Sequence, residues 1–141
     1  MAIWFTTPSI EQLRPFTKNT MVEHLGIEIT AIGDDYLEAR MPVDKRTHQP
    51  AGLLHGGASV VLAETLGSFA AFLCVNPIEK TCVGLEINAN HIRSVRSGFV
   101  TGRATPRHIG KTTQVWDITI TNEAGDLVCI SRLTMAILDA K

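Results

Sequence analysis

The sequence predicts an α+β fold, a long central helix wrapped by a six-stranded antiparallel sheet. Three observations carry this reading. One long apolar helical segment runs from Ala58 to Val75 and contains no Lys or Arg. Two alternating stretches precede it, and four extended stretches follow it, all joined by short turn signals. Strands in short-linked runs with a single helix mean an antiparallel sheet, and one helix cannot cover both faces of six strands. The simplest geometry therefore wraps the sheet around the helix.

The elements follow in order. Ser9 is a helix cap for a short helix through Phe16, with Glu11 and Gln12 in its first turn and Pro15 arguing for an early stop. A second helical turn is expected around Asn19–His24 and a strand from Leu25 to Ile32. Gly33-Asp34-Asp35 is a turn signal, after which Leu37, Ala39, Met41 and Val43 alternate with Tyr36, Glu38 and Arg40 as a half-buried strand. These two strands make an antiparallel hairpin. A loop from Asp44 to Gly57 leads into the long helix. Four strands at about 83–95, 98–106, 112–121 and 127–138 are then expected to form a meander, broken at Arg96-Ser97-Gly98, Arg107–Gly110 and Asn122–Gly125. Leu127–Leu138 is apolar on much of both faces, as a central strand is.

A length of 141 residues, without repeats or linkers, gives one domain, 1–141. Hydrophobic residues at 45% and charged residues at 19% exclude a disordered or collagenous chain. Thirteen basic side chains against fourteen acidic ones give a net charge of −1, which argues against a nucleic-acid partner. A mean hydropathy of +0.13 suggests that another copy of the chain covers some apolar surface. Cys74, Cys82 and Cys129 form neither a disulfide framework nor a zinc pattern, and reduced thiols suit a cytoplasmic location. Residues 1–7 lack the basic region of a signal peptide, and the longest apolar run, Phe69–Val75, is far too short to span a membrane.

The long helix carries one carboxylate, Glu64, with Ser68 one turn further on the same face. A carboxylate in a dry core is costly unless it is paired, and no cation lies on this helix. A structural pairing with an arginine from a neighbouring strand, or a place at a subunit seam, is the bland alternative. His55-Gly56-Gly57 directly precedes the helix. Glycines let a backbone approach a ligand closely, and the first N–H groups of a helix are unpaired donors at the positive end of its dipole. Such a helix start can polarise a carbonyl while a carboxylate supplies a nucleophile or base, which suits acyl transfer. Gln49 can hold a carbonyl or water nearby. No metal-ligand motif and no nucleophile elbow is present, so the chemistry is expected to need no metal and no cofactor. From Lys80 to Lys111 the basic residues are Lys80, Arg93, Arg96, Arg103, Arg107 and Lys111 against Glu86, a candidate patch for a small polyanion.

At these residues a family becomes recognisable. The segment from Gln49 through His55-Gly56-Gly57 to Glu64 and Ser68 resembles the active-site segment of bacterial hotdog-fold acyl-CoA thioesterases. The likeness extends over almost the whole chain, including Val83-Gly84 to Ser94 and Gln114-Val115-Trp116. It points to the dihydroxynaphthoyl-CoA thioesterases of menaquinone biosynthesis, with the enterobactin proofreading thioesterases as near relatives. The resemblance implies dimers whose sheets join, pairing into a homotetramer with active sites at the dimer interface. It implies that Glu64 is the catalytic nucleophile or general base and Gly56 the donor to the thioester oxygen, with His55 and Gln49 in support and Ser68 lining the site. It assigns contacts with the CoA thioester to Gly84, His91, Ile92, Arg93, Ser94, His108, Ile109, Gly110, Lys111, Thr112, Thr113 and Ile137. The expectation is hydrolysis of aromatic acyl-CoA, with no nucleic-acid or membrane partner. A proofreading thioesterase on mis-acylated carrier protein, an acyl-thioester hydratase or dehydratase, and a non-enzymatic acyl-CoA binding module are the other classes.

Overall fold

The computed structural model describes residues 1–141. Ser9 caps α1 (Ile10–Thr17): its hydroxyl accepts the Gln12 N–H at 3.3 Å, and the Gln12 Oε1 accepts the Ser9 N–H at 3.2 Å. This is a capping box. The helix runs past Pro15 to Thr17 rather than stopping at it, and the Thr17 hydroxyl donates to the Arg14 carbonyl in that last turn. A proline this near a helix end forfeits one backbone bond without breaking a long ladder.

The strand expected from Leu25 begins only at Glu28, because Leu25–Ile27 close α2 (Met21–His24). Gly26 takes φ +73°, its N–H bonds to the Glu23 carbonyl, and the Ile27 N–H bonds to that of Val22. Those two bonds are the Schellman C-cap, which needs a left-handed residue.

β1 (Glu28–Ile32) and β2 (Leu37–Pro42) form the expected hairpin. After α3 (Gly56–Leu73) come β3 (Lys80–His91), β4 (Phe99–Ile109), β5 (Thr113–Thr121) and β6 (Leu127–Asp139). All six pair antiparallel in the order β1-β2-β4-β5-β6-β3. The four-strand meander is thus corrected. β4-β5-β6 is a meander, but β3 crosses to the far edge and pairs with β6. β3 also ends earlier than expected: the N–H groups of Ile92 and Arg93 both turn to the Val128 carbonyl, and the Val95 carbonyl accepts from Leu54. β4 runs further, to Ile109, because a bulge between Pro106 and His108 absorbs the proline.

The sheet wraps α3, which packs on β2 through β6. Leu62, Ala63, Leu66 and Ala70 are fully buried against Val100, Trp116, Ile118 and Leu133. Two glycines set the close approach. A methyl at Gly67 would lie 2.5 Å from Leu133 Cδ2, and one at Gly102 would lie 2.7 Å from Leu66 Cδ1. The length and mean hydropathy of α3, 1.4, would suit a membrane span, yet its inner face is the core of this sheet. Ahead of α1, Trp4 Nε1 donates to the Gly33 carbonyl at 2.7 Å and the Phe5 N–H to that of Leu73 at 2.8 Å. These bonds anchor the segment leading into α1, which then lies beside the outer face of α3.

Candidate active site

The glycine pair lies inside the first turn of α3 rather than ahead of it, because His55 is the N-cap. Its Nδ1 accepts the Gly57 N–H at 2.8 Å, and its carbonyl accepts from Ala58 at 3.0 Å and Ser59 at 3.3 Å. With Nδ1 an acceptor, the ring proton resides on Nε2. The Gly56 N–H alone in this turn has no partner in the chain. It is one free donor at the positive end of an eighteen-residue helix. The His91 ring lies against it, so that a methyl at Gly56 would come within 2.8 Å of His91 Nε2.

The loop before the helix is pinned at several points. The buried Thr47 hydroxyl donates to the Pro42 carbonyl, the His55 N–H bonds to the Thr47 carbonyl, and His48 Nε2 lies 2.8 Å from the Arg96 carbonyl. Arg46 hydrogen-bonds Asp44 and holds its carboxyl down at about 2. Gln49 Oε1 accepts the Ala51 N–H, which leaves its NH₂ group to donate. Gln49, Gly56, His91, Ile92, Arg93 and Ser94 line one cavity of about 310 Å³ with Leu53, Leu54, Ser59 and Val128.

Glu64 lies elsewhere. Eight residues along α3 place it about 12 Å from Gly56 along the axis. It is half-buried rather than enclosed, because the outer face of α3 is open in the single chain. It makes no ion pair and no hydrogen bond within the chain, so the structural pairing with an arginine does not occur. Glu64 and Ser68 share a cavity of about 560 Å³, walled by Phe69, Phe72 and Leu73 of α3 and by Gln12, Leu13 and Phe16 of α1. A methyl at Gly84 would lie 2.8 Å from Glu64 Oε2, and the Ser68 hydroxyl reaches Met135 Sδ at 3.8 Å.

The remaining expected residues form a third cluster at the β4–β5 turn. The Gly110 N–H bonds to the Thr113 carbonyl and the Ile137 N–H to that of Thr112, both at 2.9 Å, which ties His108–Thr113 to Ile137. The basic segment is smaller than it reads in the sequence. Lys80 pairs with Asp139, Arg103 with Glu38 and Arg107 with Asp117, which leaves Arg93, Arg96 and Lys111 without acidic partners. Burial, with Cys82 adding to it, pushes the Cys74 thiol up to about 12, so it is no nucleophile at neutral pH. No three His, Cys, Asp or Glu side chains come together as a ligand set. Sequence reasoning missed α1 as a cavity wall. Its only signal was the Ser9–Gln12 capping spacing, which places a helix but not the surface it faces.

Residues 51–129 match the Thioesterase superfamily. The chain belongs to that superfamily. The thioesterase is 56% identical over 136 residues to the 1,4-dihydroxy-2-naphthoyl-CoA hydrolase of Escherichia coli, covering 96% of this chain and 99% of that one. It is 52% identical over 136 residues to a proofreading thioesterase of Cronobacter turicensis, covering 96% and 98%. A solved thioesterase of Pseudomonas aeruginosa superposes with a TM-score of 0.97 at 54% identity, covering 99% of this chain and 100% of that chain. The wrapped-helix fold is thus the hotdog fold, and the enzyme is a thioester hydrolase.

Proposed function

We propose that this thioesterase hydrolyses aromatic acyl-CoA thioesters, without metal or cofactor, at a site completed by a second copy of the chain. The observation that carries the proposal is the separation of the free Gly56 N–H from Glu64. A thioester carbonyl on that N–H lies beyond the reach of the same chain's Glu64, since reacting atoms must come within about 3–3.5 Å. Two copies in antiparallel contact would bring each Gly56 to the other's Glu64. β3 supports this assembly: it is an edge strand of twelve residues with Val83 and Leu85 exposed, the kind of edge a second sheet pairs with. The minimal active unit is a dimer, and two dimers make a tetramer.

In that site the Gly56 N–H polarises the carbonyl, with the Gln49 NH₂ and the His55 Nε2–H as neighbouring donors. Either Glu64 attacks the carbonyl carbon, expelling the CoA thiolate and leaving an acyl–Glu64 anhydride that water then hydrolyses to the free acid, or it takes a proton from the attacking water and passes it to the departing CoA sulfur. Arg93 and Lys111 hold CoA phosphates, and the cavity beside Glu64 takes the acyl group. Its Phe16, Phe69 and Phe72 favour an aromatic ring. Two solved Staphylococcus aureus relatives, each 39% identical, carry a glutamate-to-alanine and a glutamine-to-alanine substitution as far apart in sequence as Gln49 and Glu64 are here. Acylated carrier protein is a second substrate to screen, given the likeness to a proofreading thioesterase.

The test is subunit complementation on benzoyl-CoA. Gly56→Pro removes the N–H at a first-turn position that tolerates proline. Gly56→Ala, which meets the same His91 contact but keeps the N–H, is its control. Glu64→Gln and Gly56→Pro chains are each expected to be inactive alone and to recover activity when refolded together. No recovery from co-assembled chains would place both groups in one subunit's site. A screen that finds turnover only of alkyl-CoA would remove the aromatic assignment.

A further inference from the structure

Resting on the aromatic reading, we propose that Gln12 is a specificity-determining residue that donates a hydrogen bond to an acceptor oxygen on the acyl ring. The cavity beside Glu64 is walled on its far side by α1, and Gln12 is the polar residue that α1 contributes to it, alongside Leu13 and Phe16. Its carboxamide is already half committed. Oε1 accepts the Ser9 N–H at 3.2 Å, which fixes the amide's orientation and leaves the NH₂ group with no acceptor in the chain. The other polar side chains of the wall offer less: Ser68 donates to Met135 Sδ, Glu64 is reserved for the reacting carbon, and the Thr6 and Thr65 hydroxyls rotate rather than hold one donor direction. Cavities of this kind are apolar with a few placed polar groups that fix ligand orientation. A donor held by its own cap against aromatic walls matches a ring carrying an ether, carbonyl or phenolic oxygen. Gln12 is exposed in the single chain, so the preference rests on the ring oxygen replacing a water on its NH₂ group, the modest gain of one neutral hydrogen bond.

The probes are the three methoxybenzoyl-CoA isomers, whose ring oxygen only accepts, against the matching ethylbenzoyl-CoA isomers of nearly equal shape. The expected result is a kcat/KM preference of about tenfold for at least one methoxy isomer in the native enzyme, the scale of one neutral hydrogen bond. Gln12→Glu keeps the capping box but replaces the donor with an acceptor, and Gln12→Leu removes both. In each variant that ratio should collapse to about one. A ratio preserved in Gln12→Glu, or a parallel loss on both substrates in Gln12→Leu that Gln12→Glu restores, would reduce Gln12 to a helix cap and overturn the proposal. A native enzyme that hydrolyses both series without preference would overturn it while leaving the aromatic reading intact. Turnover of alkyl-CoA alone would overturn both.

Discussion

Gly84 on β3 holds the place where any side chain would strike the Glu64 carboxylate. Its missing Cβ would sit 2.8 Å from Glu64 Oε2, and its φ lies outside the left-handed region that would strain an alanine. Gly84→Ala therefore tests geometry without backbone strain. The carboxylate must shift by a fraction of an ångström, and kcat is expected to fall by up to ~10²-fold. Circular dichroism and melting temperature should stay close to those of the parent. Unchanged kcat would mean that the carboxylate does its work from a different position.

Glu64→Gln keeps the volume and removes the charge. Since no cation in the chain pairs with Glu64, no ion pair is lost. Turnover of aryl-CoA should fall at least ~10²-fold, the low end for a positioned acid–base group. Binding of a non-hydrolysable CoA thioether, measured by calorimetry, should persist. Near-native turnover would exclude Glu64 as nucleophile or base.

Arg93→Gln and Lys111→Gln should each raise KM for acyl-CoA several-fold with kcat nearly unchanged, because a phosphate contact is common to ground and transition states. Arg103→Gln is the control, since its guanidinium is engaged with Glu38 and stacks on Tyr36. Its KM should match that of the parent. If all three variants leave KM alone, the phosphates lie elsewhere.

Asp44 predicts a pH dependence. Its carboxyl sits at about 2 rather than 3.8 because Arg46 hydrogen-bonds the ionised form. A depressed carboxylate contributes stability above its unfolded pKa, and that contribution drains away as pH falls through the folded value. Asp44→Asn should thus be less stable than the parent at pH 7, by under about 1 kcal/mol for so exposed a pair. The gap should close between about pH 4 and pH 2. Urea titrations across that range measure it.

The sequence made the fold class legible because the apolar helix and the alternating strands are local patterns. Strand order was not, since nothing local in residues 80–91 says that they pair with β6 rather than with β4. The residues of the candidate site were legible where they lie on one segment, as with His55-Gly56-Gly57 and Glu64. His55 as the cap was not, because an imidazole accepting from Gly57 depends on a rotamer. Nor could charge counting foresee that Arg103 and Arg107 are neutralised across strands by Glu38 and Asp117. The α1 wall was invisible for a further reason: the pattern of a short helix with Leu13 as its one buried residue tells which face turns inward, not which surface that face meets.

That sparse anchorage of α1 bears on how such enzymes diverge. The residues that hold the sheet around α3 carry the folding free energy, while the exposed Phe16 of α1, on the wall of the cavity beside Glu64, contributes little to it. Exchanges at Phe16 are therefore cheap in stability, whereas those at Gln12 must keep its half of the capping box, and under the proposed reading new acyl preferences can accumulate on this wall without compensating change in the interior. Two chains can share most of their sequence, and the whole of their hydrolytic machinery, and still accept different rings. Overall resemblance thus transmits the reaction faithfully and the choice of substrate poorly.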